Sequence, residues 1–131
     1  KFLVAPSGTA DAAISWTTSL QLTNDGRGLS QFTAKVWVCW HGNGTIHDSH
    51  NVSSVSDNGT GDMSIWFANN LGNNNYSFNT TVESLGVNNE TMGSCVIAPG
   101  TATIRVLSTF VHSTNHAYRD FNKNSLTIFG D

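Results

Sequence analysis

The sequence predicts an all-β domain, an antiparallel β-sandwich or a jelly roll. Three observations carry that expectation. Short runs rich in β-branched and aromatic residues recur along the chain, and their alternating character is what half-buried strands require. Asn-Gly and Pro-Gly pairs stand between the runs, where tight turns need residues that tolerate or preset unusual φ. No long segment holds an apolar period of 3.6 residues, and the good helix formers Glu, Lys, Arg and Met are scarce.

In chain order, the first stretch is the least patterned. Between residues 10 and 28 only Ile14, Trp16, Leu20 and Leu22 serve as apolar anchors. Residues 1–30 are therefore expected to form opening strands, or an arm packed on the domain or on a neighbouring chain, with the sandwich in 31–131. Residues 35–40, Lys-Val-Trp-Val-Cys-Trp, place Val36, Val38 and Trp40 on one face, toward core or interface. His41-Gly42-Asn43-Gly44 is a turn. Asn58-Gly59 reads as a two-residue hairpin turn between 51–56 and 62–67. In the second of these runs Met63, Ile65 and Phe67 share a face, while Asp62, Ser64 and Trp66 share the other. Residues 75–84 alternate, with Tyr76, Phe78, Thr80 and Val82 together. Pro99-Gly100 is a turn in which Pro presets φ and Gly relieves the next position. Residues 101–112 form the longest run, and 125–129 close the chain with Leu126 and Ile128 on one face.

The chain has 131 residues, enough for one domain with a modest core. Charged residues are only 11%, replaced by Asn, Ser, Thr and Gly, so the surface is neutral and rich in amides and hydroxyls. Six Lys and Arg against nine Asp and Glu exclude a polybasic nucleic-acid binder. No apolar run approaches the length of a membrane-spanning helix, so no membrane insertion is expected. Lys1 is followed by only four largely apolar residues, so no secretory leader is expected. With no initiator Met, the chain is expected to be a mature or recombinant product or a piece of something longer. Cys39 and Cys95 allow at most one bridge, and a free buried pair is the expectation.

The stretch Val36-Trp37-Val38-Cys39-Trp40-His41-Gly42-Asn43-Gly44-Thr45, then Asn51-Val52-Ser53-Ser54-Val55 and Asp57-Asn58-Gly59-Thr60-Gly61-Asp62, resembles the C-terminal domain of bacteriophage tail-fibre and related virion appendage proteins. That family reads approximately W-V-N-F-N-G-T-G-T, then S-Y-N-V-S-S-I-x-D-N-G-T-G-D-Y-T-V-N-F, with A-N-Y-S/A-V and a final I-F-G. Asn74-Asn75-Tyr76-Ser77-Phe78 and Ile128-Phe129-Gly130-Asp131 fall in the matching places. The match runs from about Lys35 to the end and is densest over residues 51–62. The departures are Cys39-Trp40-His41 for Asn-Phe-Asn, His50 for Tyr, Met63 for Tyr and Trp66 for Asn. The resemblance implies a β-rich, homotrimeric appendage domain on the phage particle surface. It implies no catalytic residues, and none is assigned.

Candidate chemistry is sparse. His47 and His50 flank Asp48, with His41 near, and are weak candidates for a metal site. Along a strand, positions 47 and 50 point to opposite faces, so a shared metal needs a bend between them or a trimer axis. No metal or other cofactor is expected. Asp57 and Asp62 in their Gly-rich loop supply too few carboxylates for calcium. No Ser-His-Asp arrangement can be read from so hydroxyl-rich a chain, and carboxylates are too few for a convincing glycosidase pair. The aromatics are more informative. Trp66 lies off the apolar face of its own strand, which marks a subunit interface or a sugar-stacking platform. Together with Ile14, Trp16 and Leu20 it is the candidate interface set. Receptor contacts are expected in segments that do not match the family, 69–74, 87–92 and 112–122, with Asn73, Asn74, His116, Tyr118 and Arg119 as the candidate residues.

The expected function is a non-enzymatic phage virion structural domain of a tail fibre, spike or capsid appendage. Its partners would be two further copies of itself, other virion proteins, and a host cell-surface glycan or protein. Two alternatives compete: a purely structural capsid-decorating or fibre-joining domain, and a secreted carbohydrate-binding module or glycosidase fragment. A carboxylate pair with a raised pKa in a cleft would favour the last of these.

Overall fold

The strand-forming runs pair almost as their alternation requires. A computed structural model describes residues 1–22, 24, 28–30, 33–83, 90–112 and 115–130. Among these there is no helix. The strands are β1 (Phe2–Val4), β2 (Thr17–Leu22), β3 (Gly28–Leu29), β4 (Ala34–Trp40), β5 (Ile46–His50) and β6 (Val52–Gly59). They continue with β7 (Asp62–Phe67), β8 (Ser77–Val82), β9 (Glu90–Ile97), β10 (Thr103–His112), β11 (Asn115–Tyr118) and β12 (Asn124–Phe129). The chain is thus all-β, and every pairing among the described strands is antiparallel.

β5-β4-β12-β8 form a four-stranded sheet. β6, β7, β9, β10 and β11 form a five-stranded one, organised by β10. Along one edge β10 pairs with β9 from Arg105 to His112. Along the other it pairs first with β7, from Thr103 to Leu107, and then with β11, from Thr109 to His112. The apolar faces of the two sheets share one buried cluster. Val36, Val38, Trp40, Leu126 and Ile128 come from the first sheet, and Met63, Ile65, Phe67, Ile104 and Val106 from the second. Leu71 and Tyr76 plug the cluster from the segment between β7 and β8, with Leu71 N–H donating to Thr101 O and Tyr76 Oη–H to Gly100 O. Burial holds the Tyr76 hydroxyl above its ordinary pKa.

The Ser94 hydroxyl of β9 reaches across to Thr80 Oγ1 of β8 at 2.6 Å, and a larger junction centred on Ser108 joins the two sheets. At Ser108, where β7 stops and β11 begins, the ladder is completed by two residues outside the strands. Ser108 N–H donates to Gly61 O at 2.7 Å, and Arg119 N–H donates to Ser108 O at 3.0 Å. Gly61 N–H donates to the Asp120 carboxylate at 2.7 Å. The next residue, Phe121, is fully buried, and its carbonyl accepts from Gly42 N–H. Residues 119–121 are thereby threaded between the β6–β7 turn of one sheet and the β4–β5 turn of the other. Neither glycine has room for a side chain. A Cβ on Gly61, at φ +67°, would lie 2.4 Å from Ser108 O, and one on Gly42 would lie 2.5 Å from Asp120 Cβ. Asn124 then opens β12. Its buried amide donates to Phe121 O and Trp40 O, and its oxygen accepts from Ser108 Oγ at 3.0 Å.

Several expectations are corrected. The β6–β7 turn is Thr60-Gly61, two residues later than the expected Asn58-Gly59. Asn58 belongs to β6, where its amide donates to Ser64 Oγ and Asp62 Oδ1, and the strand absorbs the offset as a bulge between Asp57 and Gly59. At the Pro99-Gly100 bend the positive φ falls on Ala98, at +48°. Gly100 serves close approach instead, since a Cβ there would meet Thr103 O at 3.0 Å. The cysteines are free but not buried. Cys39 is half-exposed on the outer side of β4 and Cys95 is exposed on β9, because both alternate with core residues. Phe78 shares the parity of Thr80 and Val82, yet it is largely exposed because β8 is a sheet edge. The first stretch forms its own sheet, β1-β2-β3.

Gly61→Ala should destabilise the domain by roughly 2 kcal/mol or more, from left-handed strain and collision with two backbone atoms. Gly8→Ala, with open space around it, should stay within about 0.5 kcal/mol. Urea unfolding of the two variants checks the contrast. By the same measurement Asn124→Ala should cost about 1–3 kcal/mol, since it strands a buried hydroxyl and two buried carbonyls.

Candidate functional site

Burying one side of each sheet leaves two outer faces, and strand register dictates their composition. On the five-stranded sheet the outward row Ser54–Trp66–Thr103 crosses β6, β7 and β10. Arg105 lies across from Ser64 and Ile97, Leu107 across from Asp62 and Cys95, and Thr109 across from Gly93 and Tyr118. Trp66 is 45% exposed and Tyr118 is also exposed. Ile97, Leu107 and Val111 are half-buried on the same face. In its middle Arg105 grips Asp62 through two hydrogen bonds, one at 2.7 Å from Nε. The guanidinium, helped by Asn58, holds the Asp62 carboxyl below the usual carboxylate range against an opposing desolvation effect.

The four-stranded sheet presents a more polar face. The row His50–Trp37–Thr127–Asn79 crosses all four strands, and Asp48–Cys39–Ser125–Thr81 runs beside it. Phe129, next outward residue on β12, lies across from Ser77. Trp37 is 36% exposed and Phe129 40%. Beside the second row is an open cleft of about 230 Å³ lined by Cys39, Thr81, Glu83, Lys123 and Ser125. Within it the Thr81 and Ser125 hydroxyls are hydrogen-bonded at 2.7 Å.

The structure distributes the expected site residues unevenly. Trp66 stands outward, as its alternation predicts. Ile14 and Trp16 are exposed before β2, Trp16 at 60%. Leu20 is half-buried within the small sheet, opposite Phe2. His116, Tyr118 and Arg119 do not form one loop site. Residues 115–118 are a strand that extends the β10 hairpin, so His116 and Tyr118 lie on the outer face. Arg119, one residue on, turns to the Phe110 ring at 5.1 Å, a cation–π contact. Asn73 and Asn74 sit in the β7–β8 segment, where Asn73 Oδ1 accepts from Asn75 N–H. That segment is pinned at its start by Asn51, which accepts from Asn69 N–H. Of the third segment, 87–92, residues 87–89 lie outside the described residues, as do 113 and 114 of the last.

His47 and His50 do not meet. β5 carries a bulge at His47, whose ring lies 6.5 Å from that of His41 and 3.3 Å, at Nε2, from Asn122 O. His50 stands across from Trp37. Among the described residues no three His, Cys, Asp or Glu side chains converge on a metal-sized site. What the composition alone did not expose is the Trp37 face. Its signal was the alternation of 35–40, which turns Trp37 outward as surely as it turns Trp40 inward.

Compared with known proteins, the chain matches no family model, no curated protein and no solved structure. The resemblance to phage appendage domains rests on the motif residues themselves.

The Asp62–Arg105 pair sets a pH dependence. A carboxyl depressed in the folded state adds stability above its ordinary value of 3.8, and that stability is lost as pH falls through the depressed value. Asp62→Asn should lower Tm at pH 7 relative to the parent. The gap should close as acid protonates the parent's carboxyl, as a series of thermal melts from pH 7 downward would reveal.

Proposed function

We propose that this chain is a non-enzymatic structural and attachment domain of a phage virion appendage, a β-sandwich that assembles as a homotrimer and contacts the host surface. The observation that carries the reading is apolar surface left uncovered by the chain's own fold. The small N-terminal sheet keeps Phe2, Leu3, Val4 and Leu22 exposed, and the segment leading into β2 keeps Ile14 and Trp16 exposed; none of these six belongs to the buried cluster. The outer face of the five-stranded sheet adds Trp66 near one end, Tyr118 near the other, and half-buried Ile97 and Leu107 between them. Exposed apolar surface of this sort marks sites of association. The motif residues supply the identity of the assembly, and the apolar surfaces supply the physical reason for it. In the trimer, neighbouring chains cover the N-terminal sheet and the Trp66 face, while His116, Asn73 and Asn74 remain at the rim for contact with the host.

Burial of Trp66 at such an interface contributes on the order of 2–3 kcal/mol per subunit from area alone, before ordering costs. Light scattering in dilute neutral buffer should give three times the 14.1-kDa chain mass. Trp66→Ala should shift dissociation to higher protein concentration while the far-ultraviolet spectrum stays β-type. A stable, well-folded monomer of the parent chain would overturn the reading.

A further inference from the structure

The outer face of the four-stranded sheet differs from the Trp66 face in kind. Its outward side chains along β12 are Phe129, Thr127 and Ser125, and along β8 Ser77, Asn79 and Thr81. Beside them on β4 stand Trp37 and Cys39. Successive outward positions are about 7 Å apart along a strand, comparable to one residue of a sugar chain. The order along the face is therefore ring, ring with amide and hydroxyl, then hydroxyl pair with cleft.

We propose that this face is a binding track for a neutral, linear glycan. Trp37 and Phe129 stack on sugar rings, and the Thr81–Ser125 cleft takes the hydroxyls of an adjoining residue. The chemistry selects the ligand class. A pyranose offers C–H bonds on its faces and hydroxyls around its edge. An indole face, negative at its centre, suits the first, and short amides and hydroxyls suit the second. A protein partner would need a dry apolar centre, which rows of Asn, Ser and Thr do not provide. The cleft rim carries Glu83 and Lys123, opposite in sign, and exposed Asp48 stands on the row beside it, so an anionic ligand is not favoured there. The track rests on the attachment reading and names its surface and ligand class. It lies on the four-stranded sheet, on the other side of the core from the Trp66 face.

The test is calorimetric titration of the full chain with chitohexaose, cellohexaose, mannohexaose and maltohexaose, separately. At least one should bind, and Trp37→Ala should weaken it tenfold or more. Asn79→Arg, at an exposed position on the sheet-edge strand, should block the track by bulk with the parent's melting temperature retained, which guards against misfolding of the tryptophan variant. Failure of all four sugars at millimolar concentration overturns the track. So does binding that survives Trp37→Ala and Asn79→Arg but is lost in His116→Ala, an outcome that would leave the attachment reading standing at its other surface. The trimer mass, measured separately, judges the appendage reading whatever the sugars do.

Discussion

Everything else in this fold depends on the passage of residues 119–124 between two turns. Gly61 completes the β10 ladder at Ser108 and donates to Asp120. Gly42 presses on Asp120 from the other side and donates to Phe121 O. Asn124 closes the passage by bonding to Ser108 of one sheet and to the Trp40 carbonyl of the other. Buried polar groups are costly unless paired, and here the paired set also fixes how the two sheets register. A shift of either turn would leave several buried donors and acceptors without partners.

With the sheets locked in this way, their outer faces become independent surfaces. β10 carries Arg105, Leu107, Thr109 and Val111 outward because Ile104, Val106 and Ser108 must point inward. β12 carries Ser125 and Thr127 outward for the same reason. The two faces nevertheless differ in chemistry. The Trp66 face has half-buried aliphatics around a single ion pair, which suits a second protein surface. The Trp37 face has rings set among hydroxyls and amides, which suits a hydrated ligand. One buried core thus presents two outer faces of different chemistry.

The N-terminal sheet is the part whose stability the fold explains least from within. β1, β2 and β3 pair with one another, and Ser19 Oγ–H donates to Phe2 O. Phe2, Leu3, Val4 and Leu22 are nevertheless exposed. Backbone pairing alone does not offset the entropy of ordering such a segment.

Much was legible in the sequence because alternation is a local property. Val36, Val38 and Trp40, Met63, Ile65 and Phe67, and Leu126 and Ile128 each share one face by period two alone, and all are buried. The outward stance of Trp66 followed from the same rule. Other features required tertiary structure. Whether Asn58-Gly59 or Thr60-Gly61 makes the turn is decided by Ser108 and Arg119, more than 45 residues away, which leave room only for a glycine at position 61. Tyr118 and Arg119 look like one site because they are neighbours in sequence. They part because β11 pairs with β10 and ends at Tyr118. The Trp37 face was legible only in part: alternation turns Trp37 outward, but His50, Trp37, Thr127 and Asn79 come from four strands scattered across the chain, and only their register makes them a row. Period and turn chemistry are written along the backbone and can be read there. Junctions and faces arise from register between distant strands, which only the folded chain specifies.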